Sequence, residues 1–471
     1  MTFHHELDEQ CFDVIEDSYH SILGVGLRSA LVYEENTYQG MIWKISESGD
    51  TLSKSFKFGD TSIYFNYIEQ RDDSYFIIGT SFIPPNYETK TRLEIIQLDL
   101  DLNIIEKHTI IDNSTRIGID NKFRKLGNEY YLLGSEETDS CDYDLVIKLS
   151  EDFSLLNSYR IWEHSCKFMD CILSPDSSQV WLFTNAYNEE PGPELIVFDS
   201  VMNLVEVKDF PFKFWPGTID IETCYEGNLT AKWFTDSTFL VGCNHTQTYD
   251  QYDIVEEDIG FSILDSSLNL VPVHYFGSVD TSDYSGFMTN LDFLTTENIF
   301  FCGNKNVIAL FYPPFPSWII AGKLNNQLEP QYVNYYGGDA YYFTHSIKYT
   351  SDGGSVIIAK RFDHLTQDNE WDVTFLKLND QGLITNTKYS QYHQTDLAWI
   401  SPNPANSVIN IETTYSEGII KIRNLQGNLV IEMSFKDQTF NVDVRSLNPG
   451  IYLCEITDKS GKKIINKFCK I

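Results

Sequence analysis

Carboxylates and aromatic rings are the residues of this chain best placed to do chemistry. Asp139, Asp142 and Asp144 stand close together, and Asp250, Asp253, Glu256, Glu257 and Asp258 form a second group. Alternating carboxylates with carbonyls nearby suit Ca²⁺, a hard cation that takes about six to eight oxygens. Neither group follows a D-x-D-x-D-G loop. The expectation is a solvated acidic rim, with calcium at Asp139, Asp142 and Asp144 as the single cofactor to consider. The segment Phe311-Tyr312-Pro313-Pro314-Phe315-Pro316-Ser317-Trp318 is its opposite, without charge and rich in rings and prolines. Prolines stiffen a chain, so Phe311, Tyr312, Phe315 and Trp318 are the candidate ligand-stacking residues, for a sugar or a peptide. The competing reading is a loop folded back with its rings buried. No G-x-S-x-G elbow, H-E-x-x-H helix, Walker loop or dinucleotide fingerprint occurs, and the ten histidines are dispersed. No catalytic residue is assigned. A carboxylate pair for glycan cleavage stays open, because acidic residues are so numerous.

These residues lie on a repeated framework. An apolar run that ends in a small residue recurs as Ser21-Ile22-Leu23-Gly24, Phe76-Ile77-Ile78-Gly79, Tyr131-Leu132-Leu133-Gly134 and Trp181-Leu182-Phe183-Thr184. Phe239-Leu240-Val241-Gly242, Phe300-Phe301-Cys302-Gly303 and Val356-Ile357-Ile358-Ala359 continue it, at intervals of 50 to 61 residues. After each run and a variable loop comes a second apolar strand that ends in a polar turn, as in Val146-Ile147-Lys148-Leu149 before Ser150-Glu151-Asp152. Four short strands per unit, repeated at this period, predict an all-β body over residues 1–390, a seven-bladed β-propeller. One such sheet cannot bury both faces alone, so the units must pack side by side in a closed ring. The small residue is expected to allow close backbone approach where sheets converge. Residues 1–7 are expected to supply the strand that closes the last unit. The loops that join second and third strands would share one face; both acidic groups and the aromatic segment fall there, the usual place for function on a rigid scaffold.

Residues 391–400 read as a linker, and 401–471 as a separate small antiparallel β-sandwich. The ordered series here is Ser401-Pro402-Asn403-Pro404-Ala405, then the turn around Gly427, then Leu447-Asn448-Pro449-Gly450-Ile451-Tyr452, and the basic end Lys467-Phe468-Cys469-Lys470-Ile471. In order and spacing it closely resembles the type A C-terminal sorting domain of the type IX (Por) secretion system of Bacteroidetes. The resemblance makes Pro402, Asn403, Pro404, Gly427, Pro449, Gly450, Tyr452, Lys467 and Lys470 the sorting-motif residues. It implies a partner in the type IX machinery and a destination outside a Gram-negative cell, secreted or held at the outer-membrane surface. It also implies a Sec-type leader. Met1-Thr2-Phe3-His4-His5-Glu6-Leu7-Asp8 has neither a basic start nor an apolar core, so the expectation is a start further upstream, the alternative being a degenerate copy that is not exported.

Charge separates the two parts. The tail carries 9 Lys+Arg and 7 Asp+Glu, whereas residues 1–400 carry 25 and 61, a net charge of −36. So acidic a body is repelled by nucleic acid, which is excluded as a partner. No apolar run reaches the length of a membrane span. The nine cysteines are odd in number and include no C-x-x-C pair, which argues against zinc and a full disulfide framework. Cys243 and Cys302, in apolar strands, are expected to be buried thiols; a Cys166–Cys171 bridge stays open. The reading favoured is a monomeric, exported binding protein for a glycan or a surface protein. The alternative is a polysaccharide-active hydrolase or lyase with carboxylates on the loop face.

Overall fold

The computed structural model describes residues 1–3, 7–29, 38–82, 91–112, 116–117, 122–137, 142–161, 166–186, 192–209, 229–248, 255–269, 274–277, 281–307, 313–365, 370–385, 398–401, 405–413, 415–424, 428–459 and 463–470. The regular structure in them is β, and the chain divides into two compact units, Met1–Asn386 and Thr387–Ile471. No helix among them is long and apolar enough to cross a membrane.

Described strands of the first unit group into seven antiparallel sheets of four or five strands. Each begins with an inner strand: Asp8–Glu16, Ser62–Arg71, Lys122–Leu126, Cys166–Leu173, Thr230–Trp233, the pair Asp283–Ser285 and Leu291–Asp292, and Tyr341–Tyr349. Inner strands pack on the neighbouring sheet, and the seventh sheet packs on the first, so the ring closes as a β-propeller. The seventh sheet takes its outermost strand, Thr2–Phe3, from the chain start, with Thr2 opposite Thr374 and Phe3 opposite Val373. The Met1 ammonium donates to the Phe375 carbonyl at 2.6 Å, and Phe3 meets the Phe375 ring edge-on at 5.7 Å.

The repeated apolar runs are the second strands. Ile22–Ser29 is buried along its whole length, because a sheet lies over each face. Outer strands such as Pro330–Gly337 face water on one side and read as mixed polar. The small residue of the run has a use beyond the expected one. A methyl on Gly79 would stand 2.6 Å from the Tyr64 carbonyl oxygen, and one on Gly26 1.8 Å from that of Gln10. Both carbonyls belong to the inner strand of the same sheet, so the glycine makes room inside its own sheet. Gly26, opposite Cys11 as Gly79 is opposite Phe65, therefore holds the place that the sequence pattern gives to Gly24. At Gly24, Gly242 and Gly303 the approach is also between sheets, from Phe375, from Asn290 and Leu291, and from Ile259.

The polar turns after the third strands have a common design. Asp99, Asp199 and Asp265 each accept backbone N–H bonds from the residue four positions on, at 2.7, 2.8 and 2.9 Å. The turn puts Leu102, Met202 and Leu268 at φ of 63°, 66° and 62°, a conformation that disfavours side chains. Burial of those three side chains offsets the strain.

The second unit is a two-sheet β-sandwich. Ala398–Ser401, Val408–Thr413 and Thr439–Asp443 form one sheet; Gly418–Asn424, Leu429–Phe435, Gly450–Asp458 and Lys463–Lys470 form the other. Ile409, Ile411, Ile420, Ile422, Cys454, Ile456 and Phe468 fill the space between them. Ala398–Ser401 pairs with Asn410–Thr413, so the sandwich takes in the last residues of the segment read as a linker.

Candidate functional site

Inner strands position the polar groups nearest the ring axis. Three aspartates, one on each of three inner strands, share one geometry. Asp13 accepts from the Val14 N–H at 2.9 Å and from the Ile68 N–H of the next sheet at 3.0 Å. Asp170 accepts from Cys171 at 2.9 Å and from Ala231 of the next sheet at 2.9 Å. Asp292 accepts from Phe293 at 3.0 Å and from Tyr349 of the next sheet at 2.9 Å. At these three places the inner strands of adjacent sheets form no ladder, so an N–H that faces the neighbour needs a side-chain acceptor. Each carboxylate supplies one, and staples two sheets together. Beside Thr289, by contrast, the backbones meet directly, with the Ile347 N–H on the Thr289 carbonyl at 3.0 Å.

Cations gather around these staples. Arg124 grips Asp170 with two bonds of 2.6 and 2.7 Å, and Lys122 lies 3.3 Å from the same carboxylate. Burial pushes the Asp170 carboxyl up, but Arg124 and Lys122 outweigh it and hold it below the usual range. Burial pulls Lys122 down to about 7 against the attraction of Asp170. Lys232 bonds Asp292 at 2.5 Å, and Lys125 bonds Glu69 at 3.1 Å. Lys348 is exposed and has no hydrogen bond or ion pair among the described residues; its charge faces Asp13 and Asp292.

Between these groups lies a cavity of about 450 Å³, within the range that takes small ligands. Asp13, Arg124, Lys125, Lys232, Asp292 and Lys348 line it, with Trp233, Thr289 and Ser346. They come from the later halves of inner strands and from the turn at Gly127. The cavity is therefore at the end of the ring opposite the loops between second and third strands. Four cationic side chains face it against two carboxylates, in a body of net charge −36.

Further along the axis, His345 occupies a bulge of the seventh inner strand. Phe12, Phe287 and Phe343 surround it at ring distances of 6.4, 5.7 and 5.6 Å, and Gln10 reaches its Nε2 at 3.5 Å. Its Nδ1 is buried without a partner. Burial, with Lys360 nearby, pulls its pKa down to about 3, so the imidazole is neutral.

The described residues among those expected to bind do not line this cavity. Phe311, Tyr312 and Asp139 lie outside the described residues. Phe315 is half-buried with its ring edge on Tyr341 at 5.8 Å, and Trp318 starts the strand that pairs with Lys305. Asp142 and Asp144 are two apart on one strand, opposite Glu137 and Ser135. Among the described residues no three His, Cys, Asp or Glu side chains are grouped to hold a metal. Cys171, Cys243 and Cys302 are buried free thiols, so Cys171 is not bridged to Cys166.

In the sandwich, Pro402, Asn403, Pro404 and Gly427 lie outside the described residues, while the Pro449-Gly450-Tyr452 step lies within them. The Tyr452 hydroxyl donates to the Asn448 carbonyl at 2.8 Å, across the Pro449 turn, and the ring stacks on Phe468 at 5.6 Å. Lys467 is exposed and Lys470 is buried.

Comparison with the curated proteins gives no match. Among solved structures, the polysaccharide lyase Uly1 is similar at 9% identity and a TM-score of 0.43, over 78% of this chain and 89% of that one. A neuraminidase-like protein from A/bat/Guatemala/164/2009 has 11% identity and a TM-score of 0.36, over 69% and 87%. The GH43 endo-arabinanase from Bacillus licheniformis has 11% identity and a TM-score of 0.32, over 56% and 95%. The tail is more specific: residues 400–470 match the family model described as the secretion system C-terminal sorting domain, and this part of the chain is a type IX sorting tail.

Proposed function

We propose that this protein is exported through its sorting tail and acts outside the cell as a binding protein, holding a glycan in the axial cavity of its propeller. The observation that carries the reading is the state of the carboxylates around that cavity. Both oxygens of Asp13, and both of Asp292, already accept backbone hydrogen bonds. A general acid or base must be able to exchange its proton with the reacting atom. Carboxylates tied to the frame on both oxygens are suited to holding walls in place around a bound molecule. Trp233 adds an aromatic surface, and Thr289 and Ser346 add hydroxyls, the usual furniture of a sugar site.

Two experiments test this. Residues 386–471, fused to a reporter with a signal peptide, are expected at the surface or in the medium of a type IX host. Retention in the periplasm overturns the export reading. The full chain, screened on a glycan array, is expected to retain an intact glycan. Shortened or unsaturated products in the eluate would replace the binding reading with a polysaccharide-active enzyme.

A further inference from the structure

We infer that the axial cavity selects an acidic sugar, one that bears a carboxylate or a sulfate, and that Lys348 is the residue that meets the anionic group. The inference rests on the glycan-binding reading and narrows its ligand. The cavity's two signs of charge are held differently. Asp13 and Asp292 are pinned to the wall by backbone donors of two sheets each. The cations stand on long side chains that line the space. Arg124 and Lys232 are engaged with Asp170 and Asp292, and Lys125 with Glu69. Lys348 is left with no hydrogen bond or ion pair among the described residues, on an exposed side chain that lines the cavity. An ammonium of this kind, in a cavity that three other cationic side chains also line, gains a strong charge-assisted bond when an anion enters. A neutral sugar offers it only hydroxyls.

The protein around the cavity adds selectivity. A body of net charge −36 repels anions over most of its surface, so an anion finds this place favourable and few others. Both oxygens of Asp13 and Oδ2 of Asp292 keep a second lone pair for a sugar hydroxyl, whereas Oδ1 of Asp292 already accepts from Lys232 as well. Thr289 and Ser346 supply further polar contacts beside Lys348, and Trp233 closes one side.

The test is calorimetric titration of the full chain with digalacturonate against galactobiose, and with galactose 6-sulfate against galactose. The acidic member of at least one pair should bind tenfold or more tightly than its neutral parent, and Lys348→Gln should abolish that preference. Lys208→Gln, on an exposed outer strand, serves as the charge-matched control and should leave the preference intact. Near-UV circular dichroism checks that the variants keep the native fold. Which pair shows the preference tells carboxylate from sulfate. Equal binding of acidic and neutral sugars, or a preference that survives in Lys348→Gln, overturns the acidic site and leaves the binding reading intact. If none of the four binds, the acidic site is overturned, and the glycan array decides the binding reading separately.

Discussion

The propeller and the sorting unit are both built of antiparallel strands, yet they place polar side chains by opposite rules. In the sorting unit the polar contacts that fix the described turns are local and exposed, and a longer-range ion pair such as Lys459–Glu417 lies at the surface. The Asp443 carboxylate accepts from the backbone N–H and guanidinium of Arg445, and Asn424 closes a turn on the Asn428 N–H at 2.9 Å. The propeller has such turns too, at Asp99, Asp199 and Asp265, but the contacts that join its sheets are buried and distant in sequence. Asp170 reaches Arg124 and Ala231, 46 and 61 residues away, and Asn304 accepts from the Thr344 N–H at 2.7 Å, 40 residues on. A local turn can exchange a lost bond for water. A buried bond between sheets has no such substitute, so the same chemical deletion should cost the propeller far more.

The largest difference is expected at Asp170. Asp170→Asn leaves Arg124 and the buried Lys122 without their counter-ion, a loss of about 3–5 kcal/mol for a broken buried pair. Urea unfolding followed by tryptophan fluorescence reads it, as does faster hydrogen exchange at the Ala231 amide. Asp13→Asn sharpens the point, because Asp13 has the same two backbone donors but no ion pair among the described residues, Lys348 and Arg124 acting on it only through space. About 1 kcal/mol is expected there. Equal losses at the two positions would mean that the staples act through backbone bonds alone, and that the cation cluster adds nothing.

Acid should separate the units next. In the folded propeller His345 is neutral until about pH 3, whereas in the unfolded chain it titrates near 6.5. Between those values the unfolded chain binds a proton that the folded one does not, so stability falls as pH falls. From pH 7 to 5 the propeller should lose about 2 kcal/mol. His345→Phe should flatten that slope. The sandwich strands and turns over residues 398–471 contain no histidine, and their stability should hold over the same interval. Hydrogen exchange measured at both pH values, on amides of each unit, checks both halves of the statement.

These rules also explain what could be read from the sequence. The second strands stood out, since Phe76-Ile77-Ile78 and its equivalents are covered on both faces and must be apolar. The tail stood out because turn residues such as Pro449 and Gly450 are fixed by local backbone geometry, which keeps them in a linear order. The axial cavity did not. Its residues come from inner strands of several sheets, where bulges at Phe12, Asn66 and His345 shift the alternation and hide a common pattern. A signal was nonetheless present: Phe12-Asp13-Val14, Met169-Asp170-Cys171 and Leu291-Asp292-Phe293 each set a carboxylate between apolar neighbours. An aspartate in such a strand is rarely buried without partners. The acidic loop groups drew attention by number, while the site built here depends on three single aspartates and the cations they hold.

The smallest effect is expected at Tyr452. Its ring is buried and stacked on Phe468, while its hydroxyl bonds the carbonyl of Asn448, an exposed residue. Tyr452→Phe keeps the stack and deletes one bond whose acceptor can turn to water, so about 0.5–1 kcal/mol should be lost from the sorting unit. Tyr452→Ala also removes the ring from the sandwich core and should cost about 3–5 kcal/mol. The propeller should register neither change. If Tyr452→Phe proved as damaging as Tyr452→Ala, the hydroxyl would be acting as a staple of the inner-strand kind, and the distinction between local and distant polar contacts would fail where the tail motif is most explicit.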